Sequence, residues 1–416
     1  MQFEWQEFLG AFDVPWEARG NEWISRIAEY MTEHHGITGH QMGAHGSFIR
    51  VTVSVDRRGG NADTCLILIP LPEEKVVVLA CGMECADERL ISEFRAALKS
   101  AKEEICKPAK PHKWSAIIGE APSVFQGNPQ QISEGFSLDG LKLSSTERYF
   151  WQPGVSASPT VSSFHLHSSI PILVRGTSVG YDWAHTAKRD AAERLGLLVA
   201  FLSVVWNIHL DVEEGPVPLE LGEVRLPDRH PGLKEFDLLP VLESSTVGNL
   251  AVPEWLSGAW LMTKRRSKIK SSVLMYMEGL RVEDRHPSLA LVAYVSAVES
   301  VSLMLFEEKR CKECSNHLDV GNKFLETLKL VTAGPDFELL RLVYGNRSKT
   351  VHQGKLHGTE LALGAFSFGM LSNDSATSFK LNSLGIMKGA ARKLLVMAMR
   401  SQLPKKTHYT KREPSS

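Results

Sequence analysis

Apolar positions recur with two different spacings along this chain, and the contrast predicts two kinds of architecture. Residues 4–35 place Trp5, Phe8, Leu9, Phe12, Trp23, Ile24 and Ile27 at helical spacing, which predicts helix there. Phe48 to Val55, Cys65 to Ile69 and Val76 to Ala80 read as strands, with Arg57 to Asn61 a turn between the first two. Residues 87–106 read as an amphipathic helix with Leu90, Ile91, Phe94, Leu98 and Ile105 on its apolar side. Between 114 and 180, Ser-, Gly- and Pro-rich pieces separate short strands such as Trp114 to Ile118 and Ile170 to Val174. A further helix is expected from about Ala184 to Leu210, almost continuously apolar between Leu195 and Trp206.

Residues 211–253 contain six prolines and four glycines, which interrupt any long helix and mark the best boundary in the sequence. Beyond it the pattern is nearly all helical, with helices expected at about 254–280, 288–308, 319–332, 336–353 and 380–402. Gly334-Pro335 separates the third and fourth of these, and Asp336 is placed to cap the fourth. The expected fold class is therefore an α+β multidomain chain. Its parts are a mixed α/β sensor or regulatory region at 1–210, a linker at 211–253, an all-α helical bundle at 254–402 and a disordered basic tail at 403–416.

Composition narrows the function classes. Across 416 residues, 43% are hydrophobic and 23% charged, which are globular values, and the formal net charge is −1. Global electrostatics therefore recruit neither nucleic acid nor membrane, and any RNA contact must come from a local basic patch. Six cysteines in a chain of this size make no disulfide framework. Cys65, Cys81, Cys85 and Cys106 show no pairing pattern and only Cys311 and Cys314 are close in sequence, which fits a reducing cytoplasm. The start of the chain shows no basic-then-apolar leader. The longest apolar run, Leu289 to Phe306, is interrupted by Ser296, Glu299, Ser300 and Ser302 and reads as a buried helix, with no membrane partner. No glycine-rich phosphate loop, dinucleotide fingerprint or Gly-x-Ser-x-Gly occurs, and no cofactor is expected.

The candidate chemistry lies in Tyr344-Gly345-Asn346-Arg347-Ser348-Lys349-Thr350-Val351-His352-Gln353-Gly354. Cleaving RNA by attack of its 2′-hydroxyl requires a base, an acid for the leaving 5′-oxygen and a fixed cation for the phosphorane charge. Histidine serves as base or acid because its pKa lies near neutrality. Arginine stays protonated, and its planar fork suits phosphate oxygens. One Arg-His pair thus leaves one group short. On an ideal helix, five residues span about 500°, so the two side chains point about 140° apart. One helix presents both to one phosphate only if it ends or distorts between them, whereas two copies facing each other supply two of each group. A second reading makes Arg347 a surface ion-pair partner and His352 a residue favoured by the helix dipole, with Gly354 an ordinary stop.

Arg347, four intervening residues and His352, set late in a helical region, resemble the Arg–His signature of the HEPN superfamily. Tyr344, Ser348 and Gly354 around the pair look like its Apea-like branch, as do Ala297-Val298-Glu299-Ser300, Cys311-Lys312-Glu313-Cys314 and Phe324 upstream. The likeness covers roughly residues 254–402. It implies a HEPN helical bundle, a composite metal-independent site formed by paired domains, an endoribonuclease activity and a prokaryotic defence setting. Family members often carry Asn, Asp or His directly after the Arg, where this chain has Ser348. HEPN toxins silenced by nucleotide attachment carry a Tyr two residues after the His, and Gly354 at that position argues against such regulation.

Other candidates carry weaker signals. Glu299 lies in the most apolar helix, where a carboxylate needs a partner. Arg347 is one choice, and a structural group such as Tyr276 or Ser272 is the other. Cys311, Cys314 and His317 have zinc-like spacing, with His286 a distant fourth ligand, but no second Cys pair lies nearby, so interior thiols at a helix end are the preferred reading and no metal is expected. Lys264, Arg265, Arg266, Lys268 and Lys270 crowd five cations into seven residues. On one continuous helix Lys264 would stack with Lys268, and Arg266 with Lys270, giving either an RNA-phosphate face or a solvated one. His165 and His167 alternate as on a strand and are read as exposed positions. The expected partners are an RNA substrate, a second copy of the chain and an activating ligand or protein. The rival expectation is a non-catalytic HEPN module for dimerisation or RNA binding.

Overall fold

The computed structural model describes residues 4–35, 37–45, 48–55, 63–72, 74–82, 88–106, 109–121, 129–147, 149–151, 167–180, 183–225, 246–283, 286–306, 320–353 and 383–405. The chain is mixed α/β and divides into two compact units, Met1–His112 with Val179–Arg189 and Lys113–Ser178 with Asp190–Ser416.

In the first unit, β1 (Trp5–Asp13), α1 (Trp16–His35), β2 (Ile37–His45), β3 (Phe48–Val55), β4 (Asp63–Leu71), β5 (Lys75–Gly82) and α2 (Glu88–Ile105) follow in order. The strands form an antiparallel sheet of order β1-β5-β4-β3-β2. Alternation sends Leu66, Leu68, Val76, Val78 and Ala80 into a core with Trp23, Ile27, Phe94 and Leu98 of the two helices. Cys65, Ile67 and Cys81 belong to a separate buried cluster. Cys65 and Cys81 are register partners on β4 and β5, a juxtaposition the sequence did not reveal. The Arg57 to Asn61 turn lies outside the described residues.

The first element corrects the expectation of helix over 4–35. Residues Trp5–Asp13 form a strand, and its ladder slips between Phe8 and Gly10. A bulge adds one residue to a period of two. Trp5, Leu9 and Phe12 thus share the packed face, and Phe8, 58% exposed on the opposite face, completes a spacing that mimics a helical stripe.

In the second unit, β6 (Lys110–Glu120), β8 (Phe136–Leu138), β9 (Leu141–Ser145), β12 (Ile172–Gly180) and β13 (Leu210–Pro218) form a sheet of order β13-β6-β12-β9-β8. Two-stranded pairs join β10 (Tyr149–Trp151) to β11 (His167–Ser169), and β7 (Gln130–Ile132) in parallel to β14 (Gly248–Leu250). The α3 helix (Lys188–Trp206) buries every residue from Leu197 to Val205, as expected of a helix that is apolar all round.

The stretch 211–253, expected as a linker, contributes most of β13 and all of β14. Pro216 and Pro218 are compatible with a strand because β13 lies at the sheet edge, where a missing N–H leaves no rung broken. Residues 226–245 lie outside the described part.

Beyond Leu250 the elements among the described residues are helices: α4 (Leu256–Arg265), α5 (Ser267–Val282), α6 (Pro287–Leu305), α7 (Val320–Leu328), α8 (Gly334–Gln353) and α9 (Gly385–Met399). The single helix expected at 254–280 is broken at Arg266, which adopts extended backbone (φ −108°, ψ 107°). The buried stripe explains the break. Leu256, Ala259, Trp260 and Thr263 define one direction, while Ile269, Val273, Tyr276 and Leu280 would lie about a third of a turn away on an unbroken helix. The i,i+4 stacking of the basic residues across this point is therefore lost.

The α6 helix has the length and hydropathy of a membrane span, but its inner residues pack against α5, α7, α8 and α9. A Cβ at Gly279 of α5 would collide with the Tyr294 ring of α6, so glycine permits that close crossing. These helices share their core with α3. Phe201 meets Trp260 edge-on at 5.4 Å, and the Tyr276 hydroxyl donates to Asn207 Oδ1 at 3.0 Å. The contact pattern thus groups residues 190–210 with 254–402, which the sequence reading had separated. Of the expected tail, 406–416 lies outside the described residues.

Candidate active site

Among the described residues, α6, α7 and α9 pack against α8, the helix that carries the Arg-His segment. Gly334 takes φ +58° ahead of Pro335, and Asp336 stands in the first turn of α8, where a carboxylate complements the dipole. Leu340, Val343 and Thr350 are buried along one side of α8, while Leu342 on the other side is 66% exposed. Tyr344 borders the buried side. Its hydroxyl donates to Glu299 Oε1 on α6 at 3.1 Å, and its ring stacks on Phe324 of α7 with centroids 4.5 Å apart.

Glu299, Phe324 and Tyr344 are separated by 25 and 20 positions in the chain, and the fold gathers them at one point. The structural partners considered for Glu299 have other engagements. Tyr276 spends its proton on Asn207, and the Ser272 hydroxyl donates to the Lys268 carbonyl at 2.9 Å. Burial raises the pKa of the Tyr276 phenol.

Arg347, Ser348 and His352 all lie on α8, which runs unbroken to Gln353. Their side chains lie outside the described residues. The backbone position of Arg347 falls four residues after Val343 and three before Thr350, on the same side of the helix as both. Because the helix neither ends nor breaks between Arg347 and His352, the angle of about 140° between their positions stands.

The basic cluster is divided by the break at Arg266. Lys264 bonds to the Asp139 carboxylate, which also accepts from Trp260 Nε1 at 3.3 Å. The Lys264 hydrogen bond holds the Asp139 carboxyl below its ordinary pKa. Lys268 Nζ approaches the Leu303 carbonyl at 3.5 Å, whereas Arg265, Arg266 and Lys270 are exposed. Asp139 was not anticipated as a hub, although Asp139-Gly140 between two short strands is a hairpin signature. Its carbonyl accepts from Arg194 of α3 at 3.2 Å.

The metal-like trio Cys311, Cys314 and His317 lies outside the described residues, as does His165. Among the described residues no cluster of His, Cys, Asp and Glu could hold a metal ion. A cavity lined by Glu120, Gln130, Ser169, Ile172, Leu210 and Leu250 has a volume of about 10 Å³, room for about one water. It is too small for a nucleotide, and burial there raises the Glu120 carboxyl above its ordinary pKa. No family model, curated protein or solved structure matches the chain.

Proposed function

We propose that this chain is a metal-independent endoribonuclease of HEPN type, with residues of 254–402 forming its catalytic helical domain. The observation that carries the reading is the meeting of Glu299, Phe324 and Tyr344. Each belongs to a separate part of the pattern that resembles the Apea-like branch, and they meet one helical turn before Arg347. Chance resemblance in three separate stretches gives no reason for such convergence.

In this reading Arg347 binds the scissile phosphate and His352 transfers a proton. Glu299 and Ser348 support them. The continuous helix sets the two positions about 140° apart, so a second protomer supplies the complementary pair. The exposed cations Arg265, Arg266 and Lys270 are available to RNA phosphates. Activity is held in check until the N-terminal part of the chain meets an activating ligand or protein, in a cytoplasmic antiviral setting.

The test is incubation of the purified full chain with labelled RNA in EDTA, beside Arg347→Ala and His352→Ala. Cleavage by the wild type alone supports the reading. Equal cleavage by all three, or none by the wild type with its activator present, rejects it.

A further inference from the structure

Tyr344 is held by residues of two other helices. Phe324 stacks on its ring at 4.5 Å with the planes 30° apart. Its Cε1 would lie 3.1 Å from a Cβ at Gly321, so the absent side chain of that glycine leaves room for the ring. At its tip, the hydroxyl donates to Glu299 Oε1 at 3.1 Å. The ring is thus fixed by α7 and the phenolic proton is directed to α6.

We propose that Tyr344 is a positioning residue of the ribonucleolytic site, fixing the Glu299 carboxylate and through it the groups that hold the scissile phosphate. The inference rests on the function proposed above. Glu299 is half-buried on the most apolar helix, where a carboxylate needs donors to satisfy its oxygens and hold one orientation. The Tyr344 hydroxyl is one such donor. Arg347 follows three residues later, a rise of about 4.5 Å along α8, so its backbone lies within one turn of the residue that binds the carboxylate.

The role differs from simple packing. A phenylalanine at 344 would keep the stacking on Phe324 and the approach to Gly321, and would lose the proton given to Glu299. Tyr344 itself need not touch RNA. Misplacing a phosphate-binding group by a fraction of an ångström lowers turnover without abolishing substrate binding.

The experiment compares full-length wild type, Tyr344→Phe, Glu299→Ala and the double variant on labelled RNA, with kcat, KM and the urea midpoint measured for each. Tyr344→Phe is expected to lower kcat about 10- to 100-fold, leaving KM and the urea midpoint nearly unchanged. In the Glu299→Ala background the same change should have no further effect, because the tyrosine acts only through that carboxylate. Tyr344→Phe turnover within twofold of wild type overturns the proposal. So do losses that multiply in the double variant, or a kcat loss that tracks a fall in the urea midpoint. A wild-type chain that cleaves no RNA with its activator present rejects the functional reading itself, whereas an active wild type with an equally active Tyr344→Phe rejects only the role of Tyr344.

Discussion

Arg392 and Val204 lie 188 residues apart, and Arg392 Nε donates to the Val204 carbonyl at 2.8 Å. The same guanidinium gives Nη2 to the Val205 carbonyl at 2.5 Å. Helix α9 thereby satisfies carbonyls in the last turn of α3, which have no partners within the helix. Arg392→Met should destabilise the chain by about 2–3 kcal/mol, since two charge-assisted bonds disappear and buried carbonyls lose their donors. Lysine should recover little, lacking the planar fork. Urea denaturation checks this, and an unchanged midpoint for Arg392→Met counts against it.

The Asp139–Lys264 pair predicts a pH dependence. The folded-state pKa of Asp139 is depressed, so its contribution is present above the unfolded value and lost as pH falls through the folded one. Asp139→Asn keeps a residue that tolerates the φ of +49° at this turn. The stability gap between wild type and variant should be largest near neutrality and close below about pH 4. Both groups are about one-third exposed, so the gap is modest. A gap that stays constant from neutral to acid pH excludes the charge contribution.

For the proposed chemistry, His352→Ala should reduce RNA cleavage about 10²- to 10⁴-fold while circular dichroism and the urea midpoint stay near wild type. The expectation follows from histidine being the one group in the segment that titrates near neutrality. Cleavage within threefold of wild type removes His352 from the mechanism.

Attack by the 2′-hydroxyl leaves 2′,3′-cyclic phosphate ends and requires no divalent ion. Product analysis by mass spectrometry should find those ends, and rates with EDTA or Mg²⁺ should agree. Strict Mg²⁺ dependence with 5′-phosphate products would falsify the scheme.

Unbroken α8 makes the last prediction geometric. If Arg347 and His352 serve one phosphate only through a second protomer, specific activity should fall on dilution as the dimer dissociates. Arg347→Ala mixed with His352→Ala should regain part of the activity absent from either alone, provided one Arg and one His suffice. A monomer, demonstrated by light scattering under assay conditions, with constant specific activity refutes the arrangement.

Strong periodicity made several elements legible. Phe48–Val55 emerged as β3 with the expected ends, and α2, α6 and α8 lie close to where their apolar stripes placed them. Local pattern failed where two geometries share one spacing, as at the bulged strand β1. It failed again at Arg266, because the lysines and arginines conceal a change in the direction of the buried stripe. Glycine and proline in 211–218 resembled a linker because the sequence does not reveal that β13 is an edge strand. At the site, Glu299, Phe324 and Tyr344 could be quoted from separate stretches, but their contact depends on how α6, α7 and α8 cross. Nothing local to Asp139 announces a lysine 125 residues away.

The shared core of α3 and the later helices bears on how the protein can be cut. A fragment beginning at residue 254 would leave Trp260 without Phe201, Tyr276 without Asn207 and Arg392 without the two carbonyls it serves. Large aromatic surface would then face solvent, inviting aggregation rather than an autonomous nuclease. A fragment ending at 210 would remove β13 and leave β6 as a raw sheet edge, open to pairing with another chain. Expression of the two halves on either side of 211–253 is therefore the wrong dissection, and loss of activity in such pieces would report broken packing rather than a missing regulator.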